Sequence, residues 1–332
     1  MLNPFEGTSS FACRNRFRHA RFSPTINAVA PLPSSLRTHD DPLRSFPGAL
    51  TRVSTRMLEA PRTIRIWHLN SLDAPSVALV WSLSFAWVAR VRLPLWVPAL
   101  LMLAVWSVYV ADRLLDARSA LGSGNSATLR ERHLFHWRHR RVLLPLAALA
   151  AAAAGFLIFD LMPTAAKERN SILAAASLVY FTRVHSRRNL PFPKELLVGL
   201  LFTAGCVIPS WSRSTLPGTV LLAALFVPAC FYALLAWLNC HAIDRWEAGA
   251  NSHASVFGTA IVVALVGLVA AVSLMHPHPR SAALLAAGAA AALLLAMLDR
   301  VRAQLTPVAL RAAADLALLT PVFLLLFARL LP

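Results

Sequence analysis

Asp112 and Asp116 stand four residues apart, and Asp244 and Glu247 stand three apart. On a helix either spacing sets both carboxylates on one face, about one turn apart. Like charges so placed repel, and two such pairs facing each other across a bundle repel more. A hard divalent cation turns that repulsion into coordination. Mg²⁺ typically takes one or two carboxylates and fills its remaining positions with water and substrate phosphates. The chemistry these acids could do is to hold metal ions that bind a diphosphate and stabilise it as a leaving group. The alternative is that they are solvated acids marking helix ends. Two clusters, each closing an even-numbered apolar run, with Asn239 about one turn inside the second, favour the diphosphate reading.

The elements that must position these acids are membrane helices. The chain has 332 residues, 57% hydrophobic and 14% charged, with a mean hydropathy of +0.59. Soluble domains carry about 25% charged residues. From residue 71 onward the apolar residues fall in long runs separated by short polar loops, which predicts an all-α polytopic bundle. Nine spans are expected, at 72–89, 93–111, 142–159, 170–182, 195–211, 216–243, 254–274, 281–298 and 308–331. The fourth is short for a hydrocarbon core that needs about 20 residues and must borrow from its flanks. The sixth is long, and Pro228 within it invites a kink. Ala-rich stretches in the third and eighth suit close helix contact in lipid.

The domain division expected is a disordered basic arm at 1–70, followed by a transmembrane domain at 71–332. The arm holds ten arginines, no lysine and scattered Pro and Ser, without hydrophobic periodicity. An organellar transit segment or a physiological start at Met57 are alternative readings of it. Counting Lys and Arg on alternate sides of nine spans gives 25 against 7, and 15 against 7 without the arm. The positive-inside rule then sets the N-terminus and both acidic clusters on the cytoplasmic face of a multi-pass protein, expected in a bacterial inner membrane.

A net charge of +17 raises nucleic acid as a partner. The arginines lie in the arm and in loops, however, and no basic module with groove-reading elements is present, so nucleic acid is excluded. Cys206, Cys230 and Cys240 lie in apolar runs and read as small hydrophobes. The densest basic stretch, 130–141, carries Arg130, Arg132 and Arg138. It reads either as a lid whose guanidinium groups contact a diphosphate or as a topology determinant on anionic lipid. Arg183, Arg187, Arg188 and Lys194 invite the same two readings. Asp315 lies four residues after Arg311, and an intrahelical pair is expected to account for both.

The string Tyr109-Val-Ala-Asp112-Arg-Leu-Leu-Asp116 resembles the first aspartate-rich motif of the UbiA-type intramembrane prenyltransferases, Asn-Asp-x-x-Asp-x-x-x-Asp. Ile243-Asp244-Arg245-Trp246-Glu247 resembles the second, and Tyr180 followed by the basic run 183–188 is similar to the exit of the family's fourth helix. The resemblance covers about residues 70–332. Val108 and Tyr109 replace the leading Asn-Asp, and Ala248 takes the place of the distal acid, leaving Glu247 to serve. What the resemblance implies is transfer of a prenyl group from a Mg²⁺-bound prenyl diphosphate to a lipophilic, in some members aromatic, acceptor. It implies Asp112, Asp116 and Asp244 as catalytic metal-linked acids, with Glu247 as a further ligand. Tyr109, Asn239, Arg130, Arg132, Arg138, Tyr180, Arg183, Arg187, Arg188 and Lys194 are then the substrate contacts. A non-catalytic relative that binds, transports or scaffolds lipid is the other reading.

Overall fold

A computed structural model describes residues 57–122, 129–185, 193–248 and 256–327; the arm before Met57, Arg187 and Arg188 lie outside them. Among the described residues the chain is helical, with one isolated bridge joining Leu58 to Leu305. In order the helices are α1 (Arg62–Leu69), α2 (Asp73–Val88), α3 (Trp96–Gly122), α4 (Glu131–Arg138), α5 (Arg140–Phe156), α6 (Thr164–His185) and α7 (Lys194–Trp211). There follow α8 (Gly218–Leu221), α9 (Val227–Glu247), α10 (Val256–Leu274), α11 (Pro279–Val301), α12 (Pro307–Ala317) and α13 (Val322–Leu326).

Six segments are long and apolar enough to cross a membrane: α3, α5 with its extension to Leu161, α7, the continuous Gly218–Glu247, α10, and α11 with its extension to Gln304. Rows of exposed Val and Leu on α10, and of Leu and Phe on α5, give these helices an apolar outer surface. The protein is a multi-pass membrane protein. The count differs from the nine expected for identifiable reasons. The α1–α2 pair bends by 89° and counts at most as one broken span. Lys167, Glu168 and Arg169 make the first turns of α6 too polar, although that helix does borrow flanks and reaches 22 residues. The last expected span divides into α12 and α13.

Pro228, expected to kink its span, lies at a change of helix type within it. The helix widens into a π-helical stretch at Leu222–Phe226 just before the proline, which then occupies the first turn of α9. Widening there relieves the clash between a proline ring and the preceding turn.

The core joins α2, α9, α10 and α11. Trp81 and Tyr232 stack with ring centroids 3.7 Å apart, and Phe85 packs beside both. Small residues bring the α10–α11 hairpin together, and the ring of Phe231 enters it. A Cβ added to Gly267 would lie 2.5 Å from Phe231 Cζ, and one added to Gly288 would lie 2.6 Å from Cε1. The ring cannot withdraw from one glycine without meeting the other. Gly267→Val is therefore expected to destabilise the protein by about 1–3 kcal/mol through overpacking, read as a lower melting temperature in detergent. Gly258→Val, where a Cβ meets nothing within 4 Å, is the neutral control.

Candidate functional site

The corner between α1 and α2 organises one end of the bundle. Ser71 has φ 55°, a left-handed conformation unusual for a residue with a side chain. Its hydroxyl accepts from Arg113 Nε of α3 at 3.0 Å and lies 3.3 Å from His136 Nε2 of α4. Trp106 of α3 donates to the carbonyl of Asn70 at 2.9 Å. Arg65 of α1 pairs with Glu131 of α4. The strained turn is thus held from two further helices.

The predicted residues fall mainly on two faces of this end, and Arg130 of the second lies within electrostatic reach of Asp244 on the first. The first face gathers Asp112 from α3, Tyr180 from α6, Lys194 and Glu195 from α7, and Asp244 from α9. Lys194 Nζ lies 3.6 Å from Glu195 and 3.9 Å from Asp244, and the Tyr180 hydroxyl lies within the electrostatic reach of Asp112 and Glu195. Asp244 is 58% exposed. Asp116, 53% exposed, points its carboxylate toward His133 Nε2 at 3.8 Å. Arg138 and Arg183 are exposed, and no described contact brings either to this group.

The second face takes the rest. Glu247 is held by three guanidinium groups: Arg130, Arg132 at 3.5 Å and Arg311 at 2.6 Å. With Arg65, Arg245, Arg302 and His68 these residues line a cavity of about 710 Å³. Six arginines against Glu59, Glu131 and Glu247 make its wall strongly cationic. Asn239, 5% exposed, turns inward and donates to Asp315 Oδ1 at 3.1 Å. Tyr109, half-buried, carries Arg113 over its ring at 5.8 Å. The intrahelical Arg311–Asp315 pair expected from the sequence is replaced by longer-range partners: Arg311 reaches Glu247, and Asp315 reaches Asn239 and His68. The i,i+4 spacing allowed the pair, but both side chains find polar partners on other helices.

Sequence reasoning missed His68 and Asp73 and gave Asp315 a merely local role. A signal existed. Asp73 opens an apolar run and Asp315 lies inside one, where an ionisable group is costly and calls for a partner.

His133 and His136, on α4 outside the spans, are pushed down to about 4 by burial and then by the Arg113 cation nearby. Both rings are neutral in the folded protein at pH 7. Below the usual imidazole value near 6.5 the unfolded chain takes up protons that the folded one refuses. Stability is therefore expected to fall as pH drops from about 6.5 toward about 4, and to be flat with respect to these rings above that window. A His133→Gln variant should flatten the melting-temperature profile across it.

No protein-family model, curated protein or solved structure matches the chain.

Proposed function

We propose that this chain is an intramembrane prenyltransferase of the UbiA type, which moves a prenyl group from a prenyl diphosphate to a lipophilic acceptor. The observation that carries the reading is the approach of Lys194 to Asp244, together with the electrostatic reach of Asp112 to Tyr180, on four helices far apart in sequence. These are residues that the family resemblance singles out. In this reading α2, α3, α5, α6, α7, α8–α9, α10, α11 and α12–α13 correspond to the nine segments of the family, with the acids on the cytoplasmic face of a bacterial inner membrane.

Hard carboxylate oxygens are the donor type Mg²⁺ takes, although the motif acids stand apart in this structure. Asp116 and Asp244 are half-exposed hard-oxygen donors, a setting in which water and phosphate oxygens can complete an ion's shell. Asp112, Asp116 and Asp244 would hold the ion, whose charge would stabilise the departing diphosphate. Glu247 does not suit that role, because three guanidinium groups already hold its carboxylate. Lys194 supplies a cation for the diphosphate, and the Tyr180 hydroxyl a hydrogen bond.

The same engagement of Glu247, together with Val108 and Tyr109 at the head of the first motif, favours the second reading, a lipid-binding relative without turnover. One experiment separates them. The protein in detergent is melted with farnesyl or geranylgeranyl diphosphate, with Mg²⁺ or with chelator. A bound ligand at a hundredfold its Kd adds about 2.7 kcal/mol. Stabilisation that needs Mg²⁺ supports the transferase, and an equal shift in chelator supports the binding protein. No shift with either diphosphate overturns both.

A further inference from the structure

Behind the cationic cavity, three ligand-bearing side chains from separate elements converge. His68 closes α1, Asp73 opens α2, and Asp315 lies in α12. The right-angled corner brings the first two together, so that His68 Nδ1 lies 2.8 Å from Asp73 Oδ2 and 3.7 Å from Asp315 Oδ2. One nitrogen and two carboxylate oxygens all lie within 4.8 Å of one another. Among the described residues this is the one group of three or more such side chains to do so. The acids of the two sequence motifs do not.

We propose that His68, Asp73 and Asp315 form a binding site for a divalent first-row transition metal ion, Zn²⁺ or Mn²⁺. Donors bound at about 2.0–2.2 Å from such an ion stand about 3.0–3.5 Å apart, and the two imidazole-to-carboxylate separations bracket that interval. The donor set, one imidazole nitrogen with carboxylate oxygens, suits these ions better than an all-oxygen site would. With an ion bound, the two carboxylates would offset its double charge.

Two independent features point to a missing partner. His68 is 2% exposed, yet its Nδ1 has no hydrogen bond of good geometry, although Asp73 Oδ2 lies 2.8 Å away. Asn239 Oδ1 has no hydrogen-bond partner either, although the amide that carries it touches Asp315 and is buried. The carboxylates are braced from outside, as metal-binding carboxylates usually are. The Ala74 amide donates to Asp73 Oδ1 at 2.9 Å, and Asn239 Nδ2 donates to Asp315 Oδ1. Arg113 and Arg311 lie beside the two acids, while their described polar contacts go to Ser71 and Glu247. His68 also lines the cavity, which gives an ion a way in.

The site would clip the α1–α2 corner to α12. It is independent of prenyl transfer, since none of its ligands belongs to the Asp112–Asp244 face. The test uses tag-free, full-length protein stripped with chelator, dialysed against Zn²⁺ or Mn²⁺, and assayed for bound metal by mass spectrometry. One ion per chain is expected, with a higher melting temperature, in wild type and in Asp112→Ala. Asp315→Asn and His68→Gln should lose the ion, and His133→Gln should keep it. Because the corner variants could fail to fold, the wild type alone is also titrated with Co²⁺, which should develop visible absorption distinct from the aquo ion and lose it to Zn²⁺. No metal above the blank, an unchanged Co²⁺ spectrum, or full occupancy in folded Asp315→Asn and His68→Gln overturns the proposal. A proton shared by the two acids would then fill the place assigned to the ion.

Discussion

Asp112→Ala and Asp244→Ala are each expected to cut prenyl transfer by at least about 10²-fold, the scale seen when one group that stabilises developing charge is removed. Asp244 projects from the end of α9 and is more than half exposed. Its loss should change stability by no more than about 0.5 kcal/mol, as for ordinary surface substitutions. A fall in turnover with an unchanged melting temperature is therefore the signature. It should appear in kcat rather than in KM alone, since the acids act on the leaving group. Asp160→Ala, an exposed acid on the π-helical extension of α5, should turn over normally. Unchanged rates in both Asp112→Ala and Asp244→Ala would sink the transferase reading.

Trp81→Ala carries the largest expected effect on stability. The indole is fully buried, stacks on Tyr232 and contacts Phe85. Removing such a ring costs about 3–5 kcal/mol. Its Nε1 also donates to the carbonyl of Leu318 at 2.8 Å. Leu318 is the C-cap of α12, where carbonyl groups lack intrahelical donors. Trp81→Phe keeps much of the packing but strands that carbonyl, for about 1–3 kcal/mol. Thermal melts in detergent should rank wild type above Trp81→Phe and Trp81→Phe above Trp81→Ala. Equal melting temperatures for the two variants would deny the hydrogen bond any share.

The sequence disclosed the helical membrane class because long apolar runs have few other uses. It disclosed less about which helix face is buried. In α3 the acids Asp112 and Asp116 were easy to see, but Arg113 between them is the residue that points inward to Ser71. Periodicity could not decide this in an almost wholly apolar helix, where no contrast marks the buried stripe. The basic run at 130–141 was legible as a charge cluster. Its division into α4 and the start of α5, with Arg130 and Arg132 drawn to Glu247, depended on where α9 ends. The His68–Asp73–Asp315 group was hidden for a third reason. Its members lie 5 and 247 residues from His68, and only the corner at Ser71 and the return of α12 bring them together.

The ring of Phe231, closed in by Gly267 on one side and Gly288 on the other, also gives the α10–α11 hairpin a clock. A half-turn of a phenyl ring sweeps out a disc, and here that disc is already filled by two helix backbones. The ring can invert only when the helices part for an instant. Aromatic NMR signals from the two edges of Phe231 should therefore stay separate at temperatures where other rings average, and their coalescence would report how often the hairpin breathes.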